Sequence, residues 1–140
     1  MNEALILTAL SEYAVSEQQG SLHEERIMQY AQETGIPYYQ DETPWCSLFM
    51  NWVAMKCGAD RTGALLAREW AKVGEEVTTP EMGDIVVFWR GSPNGWQGHV
   101  ALFVGYSKDR TKVYVLGGNQ SNQVNVSAYS SDRIITFRRL

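Results

Sequence analysis

The chain has 140 residues, 44% hydrophobic and 20% charged, the composition of an ordinary globular domain able to bury one sizeable core. Its formal charge of −4, with basic residues scattered apart from Arg138-Arg139, argues against a nucleic-acid-binding surface. The first residues, Met1 to Leu7, are apolar but carry an early acid and no basic run. They do not read as a signal peptide, and no stretch is long enough to span a membrane. The expectation is synthesis in the cytoplasm.

In chain order, Ala4 to Val15 has a helix-like alternation, followed by a polar break from Ser16 to Ser21. Ser21 can N-cap a second helix, with Glu24 completing a capping box and Gly35 and Pro37 ending it. His23, in its first turn, reads as a surface residue. A third helix is predicted from Thr43 as N-cap and Pro44 at the first helical position, with Trp45, Leu48, Phe49, Trp52 and Val53 on the buried face and Gly58 closing it. Thr62 to Val73 reads as a short helix with Leu65, Leu66 and Trp70 in the core. From Asp84 the character changes to five strand-like runs: Ile85–Trp89, His99–Tyr106, Val113–Leu116, Val124–Ala128 and Ile134–Phe137. A Gly-rich loop, Arg90 to Gly98, separates the first two. Helices first and strands second, without repeats or linkers, predict a single α+β domain over 1–140 with an antiparallel sheet.

Cys46 falls in the first turn of the third helix, where unpaired N–H groups and the helix dipole favour the thiolate, the nucleophilic form. The plainer reading is a buried core cysteine. Cys57 lies eleven residues on, ~16 Å away along a helix, beyond the ~7 Å a disulfide spans. It reads as structural.

A nucleophilic cysteine needs a base, and the base needs an orienting group. His99 begins the second strand, where it reads either as a strand-end histidine or as that base. If Ser107–Thr111 closes a hairpin joining Tyr106 to Lys112, His99 faces Asn119 on the next strand. Asn119 then orients the imidazole, or else serves the turn that Gly117-Gly118-Asn119 would suit. A shifted register would substitute Gln120 or Asn122.

Other patterns carry less. Gly117 to Ser121 lacks the lysine and glycine spacing of a phosphate loop. Asn119-Gln120-Ser121 and Asn125-Val126-Ser127 match the short glycosylation pattern. The histidines and cysteines do not make a zinc site, and no metal or cofactor is expected. Asp41 and Glu42 read as helix-dipole caps whose charge would oppose ionisation of Cys46.

Four stretches taken together resemble the CHAP family, the cysteine- and histidine-dependent amidohydrolase/peptidases of the papain-like, NlpC-type group. They are Trp45-Cys46-Ser47-Leu48-Phe49 with Asn51-Trp52-Val53, Gly83 to Phe88, Gly98-His99-Val100 to Gly105, and Leu116-Gly117-Gly118-Asn119-Gln120. The resemblance implies a papain-like α+β fold, N-terminal helices on a five- or six-stranded antiparallel sheet. It also implies Cys46 as nucleophile, His99 as base and Asn119 as orienting group. Many members carry a glutamate two residues before the asparagine, where this chain has Gly117. The Cys46 N–H would help hold the oxyanion, with a second donor from Tyr39 or Gln40. Trp96 and Gln97 would line a groove, with Trp45 either there or in the core.

The implied activity is hydrolysis of a peptidoglycan amide, as a muramoyl-alanine amidase or endopeptidase of phage-lysin or effector type. The alternatives are an effector acting on a protein amide and an inactive wall-binding module. The expected protein is a monomer that takes no nucleic acid and does not insert in membranes. It reaches the cell wall by release or delivery, partnered by a holin as a lysin or an immunity protein as an effector.

Overall fold

The computed structural model describes residues 1–16, 22–38 and 44–140, with the side chains of Leu22, His23 and Glu24 outside the description. Among the described residues three helices lead: α1 (Glu3–Leu10), α2 (Leu22–Thr34) and α3 (Cys46–Lys56). A 3-10 helix (Ala67–Lys72) joins them to six strands: β1 (Glu75–Val77), β2 (Ile85–Trp89), β3 (Gly98–Tyr106), β4 (Lys112–Gln120), β5 (Gln123–Ser130) and β6 (Ile134–Arg139). All pairings are antiparallel, in the order β1-β6-β2-β3-β4-β5. This is the expected α+β architecture with the upper of the two expected strand counts; of the six strands only β1 is not among the runs read from the sequence.

Local signals explain the helix ends. The Asn2 side chain caps α1 by accepting from the Leu5 N–H, and α2 and α3 stop at Gly35 and Gly58, both at positive φ (74° and 65°). The Ser21 and Thr43 caps, the Glu24 side chain, the Asp41-Glu42 pair, and the surface reading of His23 lie outside the described residues. Pro44 is not the first helical residue. Helix α3 begins at Cys46, with Trp45 at the N-cap supplying its carbonyl to the Phe49 N–H.

The central strands are buried on both faces, so β2 and β3 read as continuous apolar runs rather than alternating ones. One core lies between helices and sheet, where Trp45, Phe49 and Val53 meet Val87, Val100 and Leu116. The second packs Val86, Phe88, Ala101 and Phe103 on the opposite face. The segment expected as a regular helix from Thr62 is instead irregular up to the 3-10 turn. Trp70 is buried as foreseen, but Leu66 is exposed. A polar cluster pins that segment: the Ser47 hydroxyl donates to the Ala64 carbonyl (2.6 Å), the Trp70 indole N–H donates to Ser47 Oγ (2.9 Å), and the Gly63 N–H donates to Asn51 Oδ1 (2.7 Å).

The β3–β4 hairpin starts one residue off the expected register, with Tyr106 opposite Val113, and a bulge between Phe103 and Gly105 restores it, with Phe103 opposite Val115 and Leu102 opposite Leu116. Gly118 lets β4 lie against α3, since a Cβ there would stand 2.8 Å from both Phe49 Cβ and Trp45 Cζ3. The two glycines therefore serve close packing in a strand, not the tight turn. That turn is at Ser121-Asn122, both at positive φ, between Gln120 and its partner Gln123.

Candidate active site

Cys46 is the first residue of α3 and is buried. Three backbone N–H groups favour its thiolate: that of Val100 on β3, that of Ser47, and its own. The last two are the free donors of a helix N-terminus. The charge of Arg90 acts in the same direction, yet burial outweighs all four and pushes the thiol above its ordinary value. The structure therefore sets the Cys46 sulfur against the His99–Val100 peptide as a neutral thiol.

His99 is 1% exposed. Its ring forms a triangle with those of Phe88 and Tyr129, whose centroids lie 6.0 and 5.0 Å away and 5.1 Å from each other. Burial, with the charge of Arg90 adding to it, lowers its pKa to about 4, although its bond to Gln120 raises it. At neutral pH the imidazole is uncharged.

The residue that meets this ring is Gln120: its Oε1 lies 2.9 Å from His99 Nε2. Asn119, the expected partner, is displaced by the backbone. Asn119 adopts a left-handed φ of 57°, and the β4–β5 register shifts between Gly117 and Gln120, so residue 120 turns toward the histidine. Gln120 was the fallback for a shifted register.

The amide orientation of Gln120 is fixed by what its nitrogen meets. Nε2 donates to the Asn125 carbonyl (2.8 Å) and to Asn125 Oδ1 (3.0 Å), with the Val115 carbonyl at 3.3 Å. Only the oxygen remains for His99, so His99 Nε2 carries the proton and donates. Nδ1 then holds the lone pair, and among the described residues it has no hydrogen-bond partner. Asn125 is itself braced, donating to the Gln120 carbonyl (2.9 Å) and accepting from Ser127 Oγ (2.6 Å). The Asn-Val-Ser triplet resembling a glycosylation signal is thus an internal support for the site.

A cavity of about 360 Å³ opens beside Cys46. Leu65 and Leu66 form one wall, Trp96 and Gln97 another, and Arg90 also borders it. Trp96 and Gln97 take the expected place, whereas Trp45 is wholly buried in the core. The Gly-rich loop bearing Trp96 is held by Arg68, whose guanidinium donates to the carbonyls of Gln97 (2.7 Å), Pro93 (2.8 Å) and Ser92 (2.7 Å). The oxyanion candidates Tyr39 and Gln40 lie outside the described residues.

Arg90, Tyr129 and Asn125 are site residues that the sequence did not single out: Arg90 and Asn125 are placed by the local β2–β3 and β4–β5 pairings, and Tyr129 comes from a strand distant from His99 in sequence. Cys57 is a free thiol 3.3 Å from Thr8 Oγ1, in keeping with a structural role. No helix among the described residues is long and apolar enough to cross a membrane.

A buried thiol at a helix start, set against the peptide of a histidine held by an amide, offers the residue types that thiol-dependent amide hydrolysis uses. No curated protein matches the sequence. The model of the CHAP domain matches residues 38–119, a stretch that contains Cys46 and His99 and ends one residue before Gln120. The chain belongs to the CHAP domain family, whose members are generally cysteine- and histidine-dependent amidohydrolases.

Proposed function

We propose that this chain acts as one catalytic unit hydrolysing an amide of peptidoglycan, with Cys46 as nucleophile, His99 as base and Gln120, rather than Asn119, as the orienting group. The observation that carries the chemistry is the 2.9 Å contact from Gln120 to His99 Nε2, which leaves Nδ1 as the proton acceptor. Family membership supports the cell-wall substrate.

In the first step the Cys46 thiol gives its proton to His99 Nδ1 as sulfur bonds to the carbonyl carbon. The oxyanion forms beside the Cys46 N–H at the helix start. The imidazolium then protonates the leaving nitrogen, the C–N bond breaks, and a thioester remains. His99 takes a proton from water, hydroxide attacks the thioester, and the thiol is regenerated with release of the acid. Because thiol and imidazole both begin neutral, proton transfer accompanies attack. Gln120 assists by accepting from Nε2–H more strongly once the ring is charged.

The inactive-module reading drew on Gly117 standing where many members carry an acid. Gln120 weakens that argument, because its amide fills the space beside Gly117 and supplies the acceptor. Release or delivery to the wall, by lysis or by a secretion machine, is part of the proposal.

Purified peptidoglycan digested with wild type and Cys46→Ala, with products identified by mass spectrometry, tests it. Muropeptides released by wild type alone are expected. Equal, nil release from both, with a folded wild type, would overturn the wall reading and favour a protein amide or a binding role.

A further inference from the structure

The cavity beside Cys46 is apolar along Leu65, Leu66 and Trp96, and Arg90 is the one charged side chain among the described residues lining it. Its position is set by pairing. Phe88 lies opposite His99 and Trp89 opposite Gly98, so Arg90 leaves the end of β2 next to the start of β3. Its N–H donates to the Gln97 carbonyl (3.0 Å), which ties it to the loop carrying Trp96. Tyr129, whose ring is tilted against that of His99 at 5.0 Å, has its hydroxyl within reach of the Arg90 guanidinium. Arg90 therefore stands on the histidine side of the thiol.

A guanidinium has five donors, and one tyrosine hydroxyl uses few of them. Among the described residues no carboxylate pairs with Arg90. A half-buried cation that faces a cavity and has no carboxylate partner among the described residues is suited to an anionic ligand, and the planar fork matches a carboxylate best.

We propose that Arg90 binds a carboxylate on the leaving group, so that the preferred substrate is an acyl-amino acid whose leaving amine sits on a carbon bearing a free carboxylate. The inference rests on the amidohydrolase reading above. The leaving amine takes its proton from His99 and so departs on the histidine side, where Arg90 lies. The acyl portion then occupies the apolar walls at Leu65 and Leu66. Within a cell wall this describes a bond to a diamino acid that keeps its adjacent carboxylate. It does not describe the sugar–peptide amide, whose leaving residue has its own carboxyl committed to the next peptide bond.

The test compares two muropeptide dimers cross-linked through a diamino acid, one with a free carboxylate beside the bridge and one with that carboxylate amidated. Wild type is expected to cleave the free acid with kcat/KM roughly tenfold to a hundredfold higher. Arg90→Gln is expected to bring the ratio near one, while Arg90→Lys, which keeps the charge, retains part of it. Binding of the same pair to Cys46→Ala, by calorimetry, needs no turnover and is expected to show the same order. Equal cleavage by wild type, or an unchanged ratio in Arg90→Gln, overturns the proposal. If neither dimer is cleaved the amidohydrolase reading fails for this bond, and equal or absent binding to Cys46→Ala then overturns the role of Arg90 as well.

Discussion

Gln120 Oε1 occupies the space that a side chain at Gly117 would need: a Cβ built on Gly117 would stand 3.0 Å from it and 2.7 Å from Ala101 Cβ. The residue that holds the histidine thus reaches it from three positions further along, through the left-handed turn of Asn119. Gln120→Ala is expected to lower kcat on the order of 10²-fold, by releasing the tautomer and orientation of His99. Asn119→Gly keeps the backbone and is expected to change kcat by less than about threefold. Steady-state kinetics on a cleaved muropeptide compare the two, and the reverse ranking would restore Asn119 as the orienting group.

The buried imidazole makes stability depend on pH in a defined window. The folded pKa of His99, about 4, lies below its ordinary value of 6.5. Above that ordinary value both states are neutral and the residue contributes nothing. As pH falls through the window the unfolded chain binds the proton first, so stability drops. The loss, roughly 3 kcal/mol, is complete below the folded pKa. Urea denaturation of wild type and His99→Gln from neutral to acidic pH isolates it, since the carboxylates titrate alike in both. Parallel curves would contradict the burial argument.

A carboxylate in place of the amide acts on the same equilibrium. Gln120→Glu sets a negative charge against His99 and is expected to raise its pKa. Histidine ring NMR during an acid titration reads the shift directly. No upward movement would mean that residue 120 does not touch the ring in solution.

Close packing around the two glycines is expected to be costly to disturb. Gly118→Ala drives a methyl against Phe49 and Trp45 and is expected to lose about 1–3 kcal/mol in denaturant unfolding, with the active-site geometry largely kept. Gly117→Ala presses on Ala101 and on the Gln120 amide together, so stability and kcat are both expected to fall. An unchanged kcat in Gly117→Ala would show that Gln120 has room to move.

Much of the scaffold was legible because local signals and long-range packing agree. The runs at Ile85 and His99, the glycine stops of α2 and α3, and the place of Cys46 at a helix start all follow from residues near in sequence. β1 was missed because Glu75-Glu76-Val77 is short and mostly exposed, with no apolar alternation to mark it. Leu66 looked like core because its neighbours are apolar, but the Ser47–Ala64 bond holds that segment outside a regular helix. The hairpin argument brought His99 to the right end of β4, and one left-handed residue decided between Asn119 and Gln120. Arg90 joins the site through the neighbouring β2–β3 pairing, whose register the Gly-rich loop does not spell out, and Tyr129 through a strand thirty residues from His99.

Oxidation of a cysteine by peroxide begins from the thiolate, and its rate follows exposure as well as charge. Cys46 is buried with its pKa raised, and in the proposed mechanism its proton leaves for His99 only as the sulfur meets a carbonyl. The burial that raises the thiol pKa thus also keeps the proposed nucleophile away from oxidants, so Cys46 is expected to react with peroxide more slowly than an exposed cysteine of ordinary pKa.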